Sequence, residues 1–165
     1  MAEVRVGDRA PDATLVNADR QAVRLSELLG QPLVLAFFPA AFSNTCTKEM
    51  CAFRDGSAGF DQIGARVVGI SVDMPYAQKA WAEQHHLDFP LLSDHNREAV
   101  RAFGIEDPNF AKGVLPGVAR RSVFVLDRDG RVTYRWIAEA PGIEPNYTEV
   151  EAAARAAGSG AGLSR

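Results

Sequence analysis

The residues best suited to covalent chemistry are the two cysteines, Cys46 and Cys51, both within residues 39–51, PAAFSNTCTKEMC. A cysteine reacts as its thiolate, and a free thiol is only a few per cent ionised at neutral pH. Reactivity therefore needs surroundings that favour the anion. The segment follows an apolar run, residues 33–38, that reads as a buried strand, and helical patterning begins near residue 45. Cys46 then falls near the start of a helix, where unpaired backbone N–H groups and the helix dipole attract negative charge. Ser43 and Asn44 are good capping types and support a start there. Lys48 is near in sequence, but an arginine brought in by the fold would do more, because it cannot lose its charge. Most free cysteines are simply buried small hydrophobes. The polar neighbours Ser43, Asn44, Thr45 and Thr47 argue for a reactive thiol at Cys46 instead.

Cys51 has two open accounts: a core residue beside Met50, or a second thiol that reacts with oxidised Cys46. On one regular helix an i, i+5 pair has Cα atoms roughly 8.6 Å apart and side chains about 140° apart around the axis. A disulfide needs less than about 7 Å. A Cys46–Cys51 bond therefore requires the first turns of the helix to unwind.

The elements that must hold this segment follow from the patterning. Residues 12–16 and 22–25 are short and predict a hairpin around NADRQ, with Ser26 capping a helical turn over 27–29. Residues 33–38 and 66–72 read as strands covered on both faces. Between them, residues 45–60 predict a helix with Met50, Phe53 and Ala58 on one side. Pro75 suits the first position of a helix over 76–86, in which Trp81 packs on the sheet. A short strand over 89–92 precedes a helix over 97–103, stopped by Gly104. Residues 105–120 carry Pro108, Gly113, Pro116 and Gly117 and read as a long loop, which in a compact domain implies function or mobility. Residues 122–126 and 132–137 predict a hairpin through DRDG, and 148–157 a closing helix. Asp73, Asp94 and Asp127 each follow a strand and are explained by capping or turn formation. The pattern predicts an α/β fold with a mixed sheet and a ligand at the carboxyl ends of the central strands, where the strand over 33–38 delivers Cys46.

The 165 residues suit one domain, over 1–157, with a disordered tail over 158–165. A chain of this size needs no staples, so two cysteines in a reducing compartment should rest as thiols. The net charge of −3 argues against nucleic acid or an anionic membrane as the main partner. The start, MAEVRVGDRAPD, has no apolar h-region and predicts no signal peptide. The longest apolar run, LVLAFFPAAF, is too short to span a bilayer, so a cytoplasmic protein is expected. His85, His86 and His95 lack zinc-ligand spacing, and the glycines form no phosphate or dinucleotide pattern, so neither metal nor cofactor is expected.

The string P-x3-S-x2-C, as Pro39, Ser43 and Cys46, resembles the peroxidatic motif of peroxiredoxins, P-x3-[T/S]-x2-C. Glu49 three residues on, FPLLSD at 89–94 and RSVFVLDRDG from Arg121 also match, and the resemblance runs from VGDRAPD at 6–12 to the hairpin near Trp136. It implies a thioredoxin-like fold and reduction of hydrogen peroxide or organic hydroperoxides through a Cys46 sulfenic acid. By the same resemblance Ser43 hydrogen-bonds the peroxide, Pro39 shields the pocket, Arg121 supports the thiolate and the leaving oxygen, and Glu49 orients Arg121, with Arg120 as the fallback. C-T-x-E-x-C resembles the bacterioferritin-comigratory-protein group, or Q type, and implies that Cys51 resolves Cys46 as a disulfide recycled by thioredoxin or a similar dithiol. FFP-x-A-F resembles the AhpE-like group, whose members often lack the second cysteine. Thr47 stands where many peroxiredoxins have proline. A monomer or weak homodimer is expected. Three other readings stay open: a one-cysteine peroxidase served by an external thiol, a thioredoxin-type disulfide oxidoreductase (although those use C-x-x-C), and a redox sensor or holdase switched by Cys46 oxidation.

Overall fold

The computed structural model describes residues 3–159. Its main sheet contains β1 (Thr14–Val16), β2 (Ala22–Arg24), β3 (Leu33–Phe37), β4 (Arg66–Ser71), β5 (Leu91–Ser93), β8 (Ser122–Leu126) and β9 (Val132–Ile137). Their spatial order is β2-β1-β5-β4-β3-β8-β9, and β6 (Glu106–Asp107) pairs with β7 (Val118–Ala119) in a separate ribbon. The helices are α1 (Asn44–Asp55), α2 (Ser57–Gln62), α3 (Pro75–Gln84), α4 (Glu98–Ala102) and α5 (Tyr147–Ser159). β3, β4 and β5 run parallel, while β8 lies antiparallel to β3 and β9 to β8. This is the predicted α/β architecture, a mixed sheet between helices.

β3 is buried at every position. Leu33, Leu35 and Phe37 join Phe103 and Phe124 in one core, whereas Val34, Ala36 and then Phe38 join Met50, Phe53 and Trp81 in the other. A strand with apolar residues on both faces must lie in the middle of a layered fold. Trp81 reaches from α3 to Phe38, with ring centroids 5.2 Å apart, and so packs that helix on the sheet as predicted.

Several elements depart from the sequence reading. The helix over 45–60 is two helices: Gly56 ends α1 and precedes α2, and Ala58 is exposed rather than aligned with Met50 and Phe53. Ser26 is not a cap. It lies inside a 3-10 turn, Leu25–Leu28, and its hydroxyl donates to Asp12 at 2.9 Å. The loop over 105–120 holds the β6–β7 ribbon, whose two-residue strands are too short to leave a periodic signal. α5 continues to Ser159, so Gly158 and Ser159 are helical rather than tail; residues 160–165 of that expected tail lie outside the described residues.

Gly69 brings α1 and β4 together. A Cβ there would stand 2.6 Å from Leu91 Cδ2 and 3.2 Å from Met50 Sδ. The missing side chain allows the close approach of the helix that carries Cys46. Gly69→Ala is expected to overpack this contact and lower stability by about 1 kcal/mol or more. A lower urea midpoint at an unchanged m-value would show it; an unchanged midpoint would contradict the packing argument.

Candidate active site

β3 ends at Phe37, and the chain crosses through buried Pro39 to Ser43, the N-cap of α1. Cys46 is the third residue of α1 and has no solvent exposure. Its N–H is among those at a helix start with no partner inside the helix. Ser43 holds the cap position, but its side chain makes no cap bond and donates to Ala40 O at 2.8 Å. Thr47 closes the turn, donating through its hydroxyl to Ser43 O at 2.8 Å and accepting from Trp81 Nε1 at 3.3 Å.

The cation comes from β8. Phe37 pairs with Ser122 in the β3–β8 register, so Arg121 enters its strand beside the point where β3 ends. Its guanidinium is nearly sealed, with 2% exposure. Nη2 donates to Cys46 Sγ at 3.3 Å and Nη1 to Glu49 Oε1 at 2.7 Å. Nε and Nη2 also donate to Pro141 O, at 3.1 and 2.8 Å. Arg121, Glu49 and Cys46 thus form one contiguous buried constellation. Among the described residues the Arg120 side chain donates to Ala138 O, at 3.5 Å, and not to Cys46. Lys48 is exposed. Cys51 is half-buried on the same helix as Cys46, and both are free thiols. A cleft of about 400 Å³ opens beside Pro39 and Arg121, walled by Glu106, Asp107, Arg120 and Glu139.

Burial works against the charge on Arg121, but Glu49 and Cys46 outweigh it and hold the side chain firmly protonated. Glu49 is the member of the pair that yields. Burial pushes its carboxyl up to about 7, against the pull of Arg121, and Glu144 adds a smaller push. Its buried Oε2 has no hydrogen-bond partner among the described residues, which keeps the carboxylate form costly. Nearby, Tyr147 donates to Glu144 at 2.6 Å and packs edge-on against Phe53.

Sequence reasoning missed the carbonyl of Pro141, the Trp81–Thr47 bond and Asp73. Asp73 had a turn-forming explanation, yet its carboxylate accepts from Ala41 N at 2.7 Å, across to the segment before α1. No periodicity or spacing marks such a contact. Asp94 and Asp127 do act locally as predicted: Asp94 accepts from Ala99 N and Val100 N at the start of α4, and Asp127 from Asp129 N and Arg131 N in the hairpin turn.

Comparison with known proteins places this arrangement. Residues 6–135 match the AhpC/TSA family, and the chain belongs to it. Peroxiredoxin Q, chloroplastic, of Gentiana triflora is 41% identical over 131 residues, which are 79% of this chain and 58% of that protein. The chain therefore spans somewhat under two thirds of the length of such relatives. In structure it resembles Peroxidoxin BcpB from Mycobacterium tuberculosis, with a TM-score of 0.82 and 35% identity over 93% of this chain and 98% of that one. A peroxiredoxin-like protein from Aquifex aeolicus gives a TM-score of 0.85 and 29% identity over 95% and 90% of the two chains. The peroxiredoxin resemblance and the thioredoxin-like fold read from the sequence are both borne out.

The raised Glu49 carboxyl has a pH signature. Its folded value, about 7, lies above its ordinary 4.5. The folded state therefore holds more protons than the unfolded state between these limits, and stability must fall as pH rises through that window. Glu49 contributes its stability fully below about pH 4.5 and has lost it above about pH 7. Urea unfolding from pH 4.5 to 8 should show this decline in the parent and a flatter profile in Glu49→Gln, which cannot ionise. Parallel profiles would refute the assignment.

Proposed function

We propose that the chain is a thiol-dependent peroxidase that reduces hydrogen peroxide or an organic hydroperoxide. The observation that carries this reading is the Arg121 guanidinium on Cys46 Sγ at the N-terminus of α1. The helix terminus and the fixed cation both place positive charge at the sulfur proposed as the nucleophile. In the proposed step the Cys46 thiolate attacks one peroxide oxygen and the O–O bond breaks. The sulfur becomes a sulfenic acid, and the leaving hydroxide or alkoxide takes up a proton. Arg121 donates to the oxygen on which charge develops, as a preorganised donor should. Glu49 holds Arg121 in place, Pro39 excludes water, and Ser43 turns its hydroxyl from Ala40 O to the peroxide.

Cys51 is the proposed resolving thiol. It displaces water from the Cys46 sulfenic acid to form a disulfide, which a thioredoxin-like dithiol reduces. Cys46 and Cys51 share one unbroken helix, so this step follows local unwinding. A one-cysteine cycle resolved by an external thiol is the second reading, favoured by that intact helix. We further propose that residues up to the end of α5 act as one peroxiredoxin domain. A monomer or weak homodimer would suffice, since Cys46, Arg121 and Glu49 come from one chain. Among the described residues no helix is long and apolar enough to cross a membrane. The cytoplasm, a reducing compartment, suits thiols that must be regenerated.

Reduced protein should consume hydrogen peroxide rapidly, and Cys46→Ser should lose at least about a thousandfold in rate, as expected when a nucleophile is removed. An unchanged rate would refute the peroxidase reading. After one equivalent of peroxide, non-reducing peptide mapping should recover a Cys46–Cys51 linked peptide. Sulfenic or sulfinic acid on Cys46 with Cys51 free would instead select the one-cysteine cycle.

A further inference from the structure

The segment between β3 and α1 carries Pro39 and Ser43 and sets where α1 begins. Among the described residues, two side chains from outside hydrogen-bond the backbone of residues 39–43: Thr47, from α1 itself, donates to Ser43 O at 2.8 Å, and Asp73, from another part of the fold, accepts through Oδ2 from Ala41 N at 2.7 Å. Asp73 stands just before α3, where it could have capped that helix. The cap is instead Met74, which makes no side-chain bond. The carboxylate turns away from its own helix to a segment 32 residues distant in sequence.

Asp73 is itself firmly seated. Its Oδ2 accepts from Ser71 Oγ at 2.6 Å, and that hydroxyl accepts from Gln78 Nε2 at 2.9 Å. Gln78 also donates to Leu92 O at 3.0 Å, and Ser93 Oγ donates to the backbone carbonyl of Asp73. Ser71, Gln78 and Ser93 are all buried, so the anchor joins the ends of β4 and β5 to α3. The segment it holds is under backbone strain. Phe42, adjacent to Ala41, has φ +69° and is 54% exposed. A side-chain-bearing residue seldom adopts that conformation, so the segment tends to relax unless something restrains it. A hydrogen bond to a charged acceptor is the stronger kind of restraint.

We propose that Asp73 is a positioning residue, a latch that holds residues 39–43 and the first turn of α1 closed over Cys46. Through that hold it sets how oxidised Cys46 divides between two fates. The inference rests on the peroxidase reading for its consequences, not for the latch itself. With the latch open, Cys51 thiol attacks the Cys46 sulfenic sulfur, an S–S bond forms, and the oxygen leaves as water. With the latch closed, the sulfenate meets a second peroxide, gains its oxygen and becomes sulfinic acid while the peroxide is reduced to water or alcohol.

Cys46 is fully buried, so alkylation by N-ethylmaleimide must wait for opening. In reduced protein carrying Cys51→Ser, adding Asp73→Ala should speed Cys46 labelling about tenfold, the scale of losing a hydrogen bond to a charged group. Asp73→Asn keeps an acceptor and should accelerate labelling by about half as much on a logarithmic scale. If Asp73→Ala fails to fold, the Asn variant decides, and an unchanged labelling rate in it overturns the latch. With Cys51 present, the peroxide concentration that leaves half of Cys46 as sulfinic acid should rise severalfold in Asp73→Asn. Val132→Ala, destabilising a buried residue of β9 toward the opposite end of the sheet, should leave that concentration unchanged; an equal rise there would overturn the proposal. Labelling uses no peroxide, so faster labelling in a protein that consumes none would retain the latch and reject the peroxidase reading.

Discussion

A guanidinium with 2% exposure must be satisfied by the protein, because water cannot do it. Arg121 is satisfied by three acceptors: the Glu49 carboxylate, the Pro141 carbonyl and the Cys46 sulfur. Two come from one face of α1 and the third from the segment after β9, and each must arrive with its lone pairs aimed at one plane. Removing one member of a buried pair costs about 3–5 kcal/mol, mostly because the survivor is stranded. The pair is therefore poor evidence of net stability, but it is strong evidence of a fixed geometry. A lysine would not serve, since it presents a point charge rather than a planar fork.

That geometry follows from strand register. β3 is central because both its faces are apolar, and a one-residue slip of β8 along it would turn Val123 and Val125 into the wrong core. The pairing of Phe37 with Ser122 then puts Arg121 at the carboxyl end of β3, where the chain leaves for α1. α1 seats Met50 and Phe53 in the core beneath, with Gly69 making room. Glu49 precedes Met50 on the inward side of the same helix and is carried to the guanidinium. The site is thus fixed by apolar packing several residues away from it, not by attraction among its charges.

This division explains what the sequence could disclose. The apolar runs, a cysteine at a helix start and the arginine heading its strand are local features, and the motif of Pro39, Ser43 and Cys46 ties them to a family. The break at Gly56 was obscured because apolar spacing continues across it into Phe60. The β6–β7 ribbon is too short for a period to exist. Ser43 holds the cap position that its residue type suggests, but its hydroxyl turns back to Ala40 instead of bonding the helix. Asp73, Pro141 and Trp81 act through contacts between segments far apart in sequence, and one chain without its fold holds no signal of them.

The two demands that the proposed cycle makes on α1, to activate Cys46 while closed and to release it toward Cys51, are less contradictory than the spacing suggests. They fall on different turns. The first turn and the segment before it are tied by polar contacts, Thr47 to Trp81 and to Ser43 and Ala41 to Asp73, in addition to the burial of Cys46. The following turns are held by Met50 and Phe53, each with almost no exposure, and that burial of about 1.5–3 kcal/mol per side chain persists if only the first turn opens. Local opening is drawn from the low end of a protein's stability range, where few buried apolar contacts are lost. Arg121 opposes it through its bond to the Cys46 sulfur, which would be at its strongest with a thiolate. In the proposed cycle a sulfenic oxygen would draw charge away from that sulfur and weaken its bond to Arg121, so the first turn would open more readily at the step for which Cys51 is proposed.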